Sequence, residues 1–400
     1  MRAVLALAII VCGLAGRAAL DKVLALRGGA ELVALWAQLA SVMDLVAGAA
    51  LSGVGTGIAV LVARQSSPAE QRATLREAVR MGLAVSSGVM AATGAVCLMF
   101  PDTLLGARTP LLLLALSAAI GWLGVIPGVV NGYWTGLRAR GRMLALAAAA
   151  AIAPLAAALL APAQGTLPAV LLAHAVPVAL VAAVVPWAPS GEPAHRQALR
   201  RYVLPGLSIG ILSPGSMLVV RAIVSSQLSW HDAGLLQALW RATDWVASLA
   251  GGVMSLVFLP RLSVAAGTPQ FRHVMRRAAS TTMLPSAAAL GLLWIYQRPV
   301  LAWLYDERFA LPDLAALLLL AGSAVRVLAW LALFGLYARR STIAIAAGEL
   351  LSLPLFALLL ALLASSPRAL TLESVAAAWL LSFVAYAAFN LLALRASAES

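Results

Sequence analysis

The sequence predicts an all-α integral membrane protein, with about twelve transmembrane helices in two six-helix lobes around a central cavity. Three observations predict it. Hydrophobic residues make up 62% of the chain and charged residues 11%, where a soluble domain carries about a quarter charged. Apolar runs of roughly 20 residues, enough to cross hydrocarbon, recur along the whole chain. The connections between those runs alternate between rich and poor in arginine, as expected of helices threaded back and forth through a bilayer.

The spans are predicted in order at 3–22, 33–62, 81–100, 110–136, 143–162 and 168–188, then at 203–224, 234–260, 279–297, 314–338, 342–363 and 374–394. Polar residues bound them. The first ends on Asp21-Lys22, and the second follows Glu31. The third runs from Arg80 to Asp102, the fourth from Arg108 to Arg138, and the fifth starts beyond Arg142. The sixth ends before Pro189, and the seventh follows Arg200-Arg201. The eighth runs from Asp232 to Arg261, the ninth from Arg277 to Arg298, and the tenth from Asp313 to Arg339. The eleventh ends before Arg368, and the twelfth lies between Glu373 and Arg395. Pro127-Gly128, Pro154, Pro177, Pro205 and Pro354 fall inside spans, where neighbouring helices re-satisfy the freed backbone groups.

One set of connections, with both termini, carries 18 arginines, among them Arg64, Arg80, Arg138, Arg196, Arg200, Arg261, Arg272, Arg339 and Arg340. The other set carries six basic residues, Lys22, Arg27, Arg108, Arg298, Arg308 and Arg368, together with most of the acids. The positive-inside rule then puts both termini in the cytoplasm. The net charge of +13 is dispersed over short loops, which excludes a nucleic-acid-binding surface as its purpose. Cys12 and Cys97 lie in apolar runs without metal-type spacing.

Two halves resemble each other weakly. Span two contains Gln38 and Asp44; span eight contains Gln237 and Asp244, the aspartates 200 residues apart. Arg17 and Arg221 make a second pair. The expected organisation is an N-terminal lobe 1–190, a cytoplasmic linker 191–202 and a C-terminal lobe 203–400, parallel repeats that rock about a substrate held between them.

Charged residues inside hydrocarbon cost several kcal/mol and mark function by default. Seven stand out: Arg17, Arg221, Arg241 and Arg326 against Asp44, Asp244 and Glu349. Arg241 and Asp244 share a helix face at a spacing that allows them to pair. An arginine excess suits an anion, because guanidinium matches phosphate bidentately and keeps its charge. Gln38, Gln237, Asn131 and Asn390 either bond sugar hydroxyls or hold helices together. His174 reads as a packed residue. Gly48, Gly53, Gly55 and Gly57 serve either close helix packing or a hinge. No phosphate loop, zinc motif or channel filter occurs, so neither a metal nor a cofactor is expected, and no enzymatic chemistry. Asp306-Glu307-Arg308 reads as a solvated turn.

The stretch Ser229-Trp230-His231-Asp232-Ala233-Gly234-Leu235-Leu236-Gln237-Ala238, continuing to Phe258-Leu259-Pro260-Arg261-Leu262-Ser263, resembles the Wzx-type lipid-linked oligosaccharide flippases of O-antigen and enterobacterial common antigen. These belong to the multidrug/oligosaccharidyl-lipid/polysaccharide exporter superfamily. Leu35 to Gly53, Asn131-Gly132 with Arg138–Arg142, and Arg308-Phe309 through Arg326 to Glu349 fit the same pattern, so the resemblance covers nearly the whole chain. Near Thr56 the family often carries a basic residue that this sequence lacks.

The resemblance implies transport of an undecaprenyl-diphosphate-linked oligosaccharide from the cytoplasmic to the periplasmic leaflet of a bacterial inner membrane. Arg17, Arg221, Arg241 and Arg326 would bind diphosphate or acidic sugar, and Asp44, Asp244 and Glu349 would hold the arginines or couple to ions. Membrane lipids and glycan polymerase or chain-length proteins are the implied partners. Three other readings stay open: a cation-coupled multidrug antiporter using Asp44, a membrane-embedded glycosyltransferase or ligase, and a scaffold in glycan assembly.

Overall fold

A computed structural model describes residues 2–99, 111–185, 196–339, 341–367 and 369–397. Asp102, Arg108, Arg340, Arg368 and the linker as far as residue 195 lie outside the described residues. Every regular element among the described residues is helical.

The chain begins with α1, Arg2–Ala50, which is two helices joined across a kink at Gly28 and Gly29. The sequence predicts a loop here, between spans one and two. The structure has only the two glycines out of helical geometry, because Gly29 sits at φ 64°, open to glycine at no steric cost. A π-helical turn, Leu51–Gly55, leads into α2, Thr56–Val62. Then come α3, Pro68–Met99; α4, Leu111–Gly136; α5, Arg140–Leu160; α6, Thr166–Ala173; and α7, Val176–Val184. The next helix is α8, Arg196–Gln227, followed by α9, Trp230–Val253. A second π-helical turn, Met254–Phe258, joins α9 to α10, Leu259–Ala265. The remaining helices are α11, Gln270–Ile295; α12, Gln297–Leu304; α13, Asp313–Ala338; α14, Thr342–Leu350; α15, Leu353–Ala364; and α16, Leu372–Ala396.

Nine helical stretches among the described residues are long and apolar enough to cross a membrane. The first, Val11–Val62, has 52 residues and contains the glycine kink, so it has length for two crossings. Helices α8 and α9 occupy the predicted seventh and eighth spans but fall outside the nine. In α9, Gln237, Arg241 and Asp244 lower the hydropathy of an otherwise apolar helix. The chain is thus an all-helical, multi-pass membrane protein.

Contacts divide the chain into two compact units, Met1–Leu218 and Val219–Ser400, with the division falling inside α8. In the first unit, Val54, Ile58 and Val62 pack on Leu75 and Val79 of α3 and on Val125, Val129 and Trp134 of α4. Glycines bring backbones together there: a Cβ at Gly53 would stand 2.5 Å from the Tyr202 carbonyl oxygen, and one at Gly48 3.0 Å from that of Gly210. Hydrophobic burial gives little drive between helices in lipid, so such close approach matters more than in water. The glycine run of span two therefore packs against α8 and also contains the wide π turn. In the second unit, Met254, Phe258 and Leu262 pack on Phe271, Ala278 and Leu331.

Polar side chains close the helix ends. Ser229 accepts the Asp232 amide at 2.9 Å, and Thr371 with Ser374 forms a reciprocal cap on α16. Two arginines close C-terminal carbonyls instead. Arg27 donates to the Ala161 carbonyl and, at 2.7 Å, to that of Leu159 at the end of α5. Arg339 donates to the Leu394 carbonyl at 2.9 Å at the end of α16, with its guanidinium 4.4 Å from the Phe271 ring centre. Cation and helix dipole attract in both places.

Candidate functional site

In the second unit, α9 and α13 supply an ion pair. Arg326 Nη2 donates to Asp244 Oδ1 at 2.7 Å. The guanidinium carbon lies 5.5 Å from the Trp330 ring centre, 5.4 Å from Trp379 and 5.8 Å from Phe383. Three aromatic rings thus surround one cation, and ring faces attract cations more strongly where water is excluded. Exposure is unequal: the Arg326 side chain is 8% accessible and that of Asp244 43%. The carboxylate is the reachable end of the pair, and the arginine is its buried support. Gly322 on α13 leaves the room that the Trp379 indole occupies.

Arg221 on α8 is also buried, and its Nε donates to Gln237 Oε1 on α9 at 2.9 Å. Arg241 is half-buried on α9, one turn before Asp244. The ion-pair partner found for Asp244 is Arg326, 82 residues away in sequence, rather than the neighbouring Arg241 that helical spacing offers.

Glu349 lies where span eleven is interrupted. Helix α14 ends at Leu350 and α15 begins at Leu353, with Ser352 in a non-helical conformation (φ −90°, ψ −117°). Ser352 Oγ and the Leu351 amide return to the Glu349 and Gly348 carbonyls at 2.6 and 2.8 Å. The Glu349 carboxylate accepts the Tyr386 hydroxyl from α16 at 2.8 Å. One turn further along α16, Asn390 donates to the Ala329 carbonyl at 3.3 Å. Glutamate, tyrosine and asparagine so tie α13, α14 and α16 together at a break in a membrane helix.

The first unit arranges its charges differently. Arg17 and Asp44 are both accessible, and neither makes a hydrogen bond or ion pair among the described residues. Both lie within electrostatic range of His174, which stands at the interruption between α6 and α7. The imidazole Nδ1 is 2.8 Å from the Val170 carbonyl oxygen, and the ring lies 5.5 Å from that of Trp36. Gln38 is buried and donates to the Leu218 carbonyl at 3.2 Å. Asn131 is exposed. No group of three or more His, Cys, Asp or Glu able to hold a metal ion occurs among the described residues.

Sequence reasoning missed Tyr386 and the rings around Arg326. A signal was present: Trp379, Phe383 and Tyr386 repeat at helical spacing on α16 and form one aromatic face. It also missed the π turns, which recur as wide turns at functional places in helices.

No protein-family model and no curated protein matches the chain. Solved structures do. An inward-facing multidrug resistance MATE family transporter of the MOP superfamily aligns at a TM-score of 0.66 and 14% identity, over 98% of this chain and 96% of that one. The lipid II flippase MurJ, in an inward closed conformation, aligns at 0.66 and 13% identity, over 98% of this chain and 87% of the flippase. A MOP superfamily transporter from Pyrococcus furiosus, described by the reverse polarity of its binding pocket, aligns at 0.60 and 11% identity, over 97% and 93% of the two chains. The chain therefore has the fold of these multidrug-transporter and lipid-flippase structures.

Proposed function

We propose that the chain is a flippase. It moves an undecaprenyl-diphosphate-linked oligosaccharide from the cytoplasmic to the periplasmic leaflet of a bacterial inner membrane by alternating access, with lobes 1–190 and 203–400 and both termini cytoplasmic. The observation that carries this reading is the excess of arginine inside the predicted spans: Arg17, Arg221, Arg241 and Arg326 against Asp44, Asp244 and Glu349. Arginine holds a diphosphate by paired N–H donors without depending on pH.

Burial divides the labour among the four. Arg17 is accessible, which suits it to meet a diphosphate, and Arg241 is half-buried. Arg221 and Arg326 are buried, and by donating to Gln237 and Asp244 they hold those polar groups in place. The likeness in fold to a lipid II flippase supports a lipid-linked cargo. The test is complementation of a flippase-deficient strain with several glycan types. Restored surface glycan, lost when Arg17 and Arg241 become glutamine, is the expected result. Failure with every glycan, despite normal membrane insertion, overturns the reading.

One observation favours a second reading, a cation-coupled drug antiporter: Asp44 and the outer side of Asp244 are accessible carboxylates, in a fold shared with a multidrug resistance transporter. If that reading holds, Asp44→Asn abolishes drug efflux while Arg17→Gln leaves it intact.

A further inference from the structure

A cavity of about 620 Å³ opens in the first unit between α3 and α8, apart from the buried charges described above. One face of each helix lines it. From α3 come Glu77, Arg80, Met81, Ala84 and Val85, at the spacing of a single helical stripe. From α8 come Arg196, Arg200, Val203 and Leu207, again one stripe.

The chemistry changes along both stripes at the same level. Every charged wall residue lies outside the predicted spans 81–100 and 203–224, and every apolar one lies inside them. The slot therefore has a basic mouth at the membrane surface and an apolar floor in the hydrocarbon. Its charges do not cancel. Glu77 is paired with Arg196 at 3.2 Å. Arg80 and Arg200 are exposed and make no ion pair or hydrogen bond among the described residues. Two guanidinium groups at the mouth of an apolar slot complement an anion with an apolar body. A free phosphate complements only the mouth.

We propose that this slot binds an anionic glycerophospholipid, its phosphate on Arg80 and Arg200 and its acyl chain along Ala84, Val85, Val203 and Leu207. The interfacial position adds the attraction of an anionic leaflet for arginine. Binding at this site does not require that the chain transport a lipid-linked glycan, so the two readings fail separately.

The test is native mass spectrometry of the purified full-length chain in detergent, titrated with phosphatidylglycerol, with phosphatidylcholine of the same acyl chains, or with sodium phosphate. Thermal unfolding is followed in parallel. The expected result is a retained phosphatidylglycerol adduct and a raised unfolding midpoint with that lipid alone. R80Q/R200Q weakens retention at least several-fold. A84W, which fills the floor and leaves the charge untouched, lowers it as well and decides the matter if the double variant fails to fold. Equal phosphatidylglycerol retention by the wild type and A84W overturns the proposal. So does stabilisation by sodium phosphate equal to that by the lipid, which marks a free-anion site.

Discussion

Arg326 reaches Asp244 across two helices at 2.7 Å, with the arginine enclosed and the aspartate open. Removing either member has different consequences. Arg326→Gln leaves Asp244 able to turn to water, and the loss is a charged hydrogen bond together with the ring contacts, about 2 kcal/mol. Asp244→Asn leaves a buried cation without its counter-charge and costs more than Arg326→Gln. Arg326→Lys keeps the charge but loses the planar guanidinium fork and falls between wild type and glutamine. Unfolding midpoints of the three purified variants give the order. A midpoint for Asp244→Asn above that for Arg326→Gln contradicts it.

Tyr386 is the hydroxyl that meets Glu349 beside the break in span eleven. Tyr386→Phe deletes that donor at nearly constant volume. It is expected to lower stability by about 1–2 kcal/mol, the net worth of one hydrogen bond to a half-buried carboxylate. If Glu349 couples transport, Glu349→Gln abolishes complementation while Tyr386→Phe only weakens it. Equal activity of the two variants shows that Glu349 serves structure alone.

Two glycines separate packing from flexibility. A Cβ at Gly53 meets the Tyr202 carbonyl oxygen at 2.5 Å, while nothing lies within 4 Å of one at Gly13. Gly53→Ala is expected to reduce the yield of monodisperse protein in size-exclusion chromatography. Gly13→Ala is expected to leave it unchanged.

Arg27 closes the carbonyls at the end of α5, so its role is local. Arg27→Gln speeds amide hydrogen exchange over 159–166 and lowers stability by about 1 kcal/mol or less. Exchange that stays as in the wild type rules out the cap.

Asp306 accepts from Arg308 Nε at 3.0 Å within an exposed turn. Asp306→Asn with Glu307→Gln is expected to leave function intact in complementation. Loss of function with normal insertion points instead to the glycosyltransferase or ligase reading.

The helices were legible because apolar runs of membrane-spanning length leave few alternatives for a backbone in lipid. Among the described residues, all twelve predicted spans fall on helical segments. The kink at Gly28–Gly29 was half legible: the glycines were visible, but the helix running up to them on both sides was not. Partners were the hidden part. Asp244 has an arginine three residues away on its own helix, and its ion pair is made with one 82 residues distant. Nothing in local spacing ranks those two. The breaks at His174 and Ser352 were marked only by Pro177 and Pro354, and proline elsewhere, as at Pro127, sits inside an uninterrupted helix. What distinguishes these sites is how neighbouring helices satisfy the freed backbone groups, which is a tertiary property.

The two wide turns, Leu51–Gly55 and Met254–Phe258, decide where in this chain a residue can be lost. Each holds one residue beyond ordinary helical winding, so the residues after it sit about 100° from where an uninterrupted helical count would put them. Deleting a single residue within Leu51–Gly55 lets the turn close to ordinary winding and leaves Ile58 and Val62 in the contacts they make with α3 and α4. The same deletion in the middle of α4 has no surplus residue to draw on and rotates every later side chain of that helix. A one-residue deletion is therefore expected to be tolerated far better inside either wide turn than in the middle of α4.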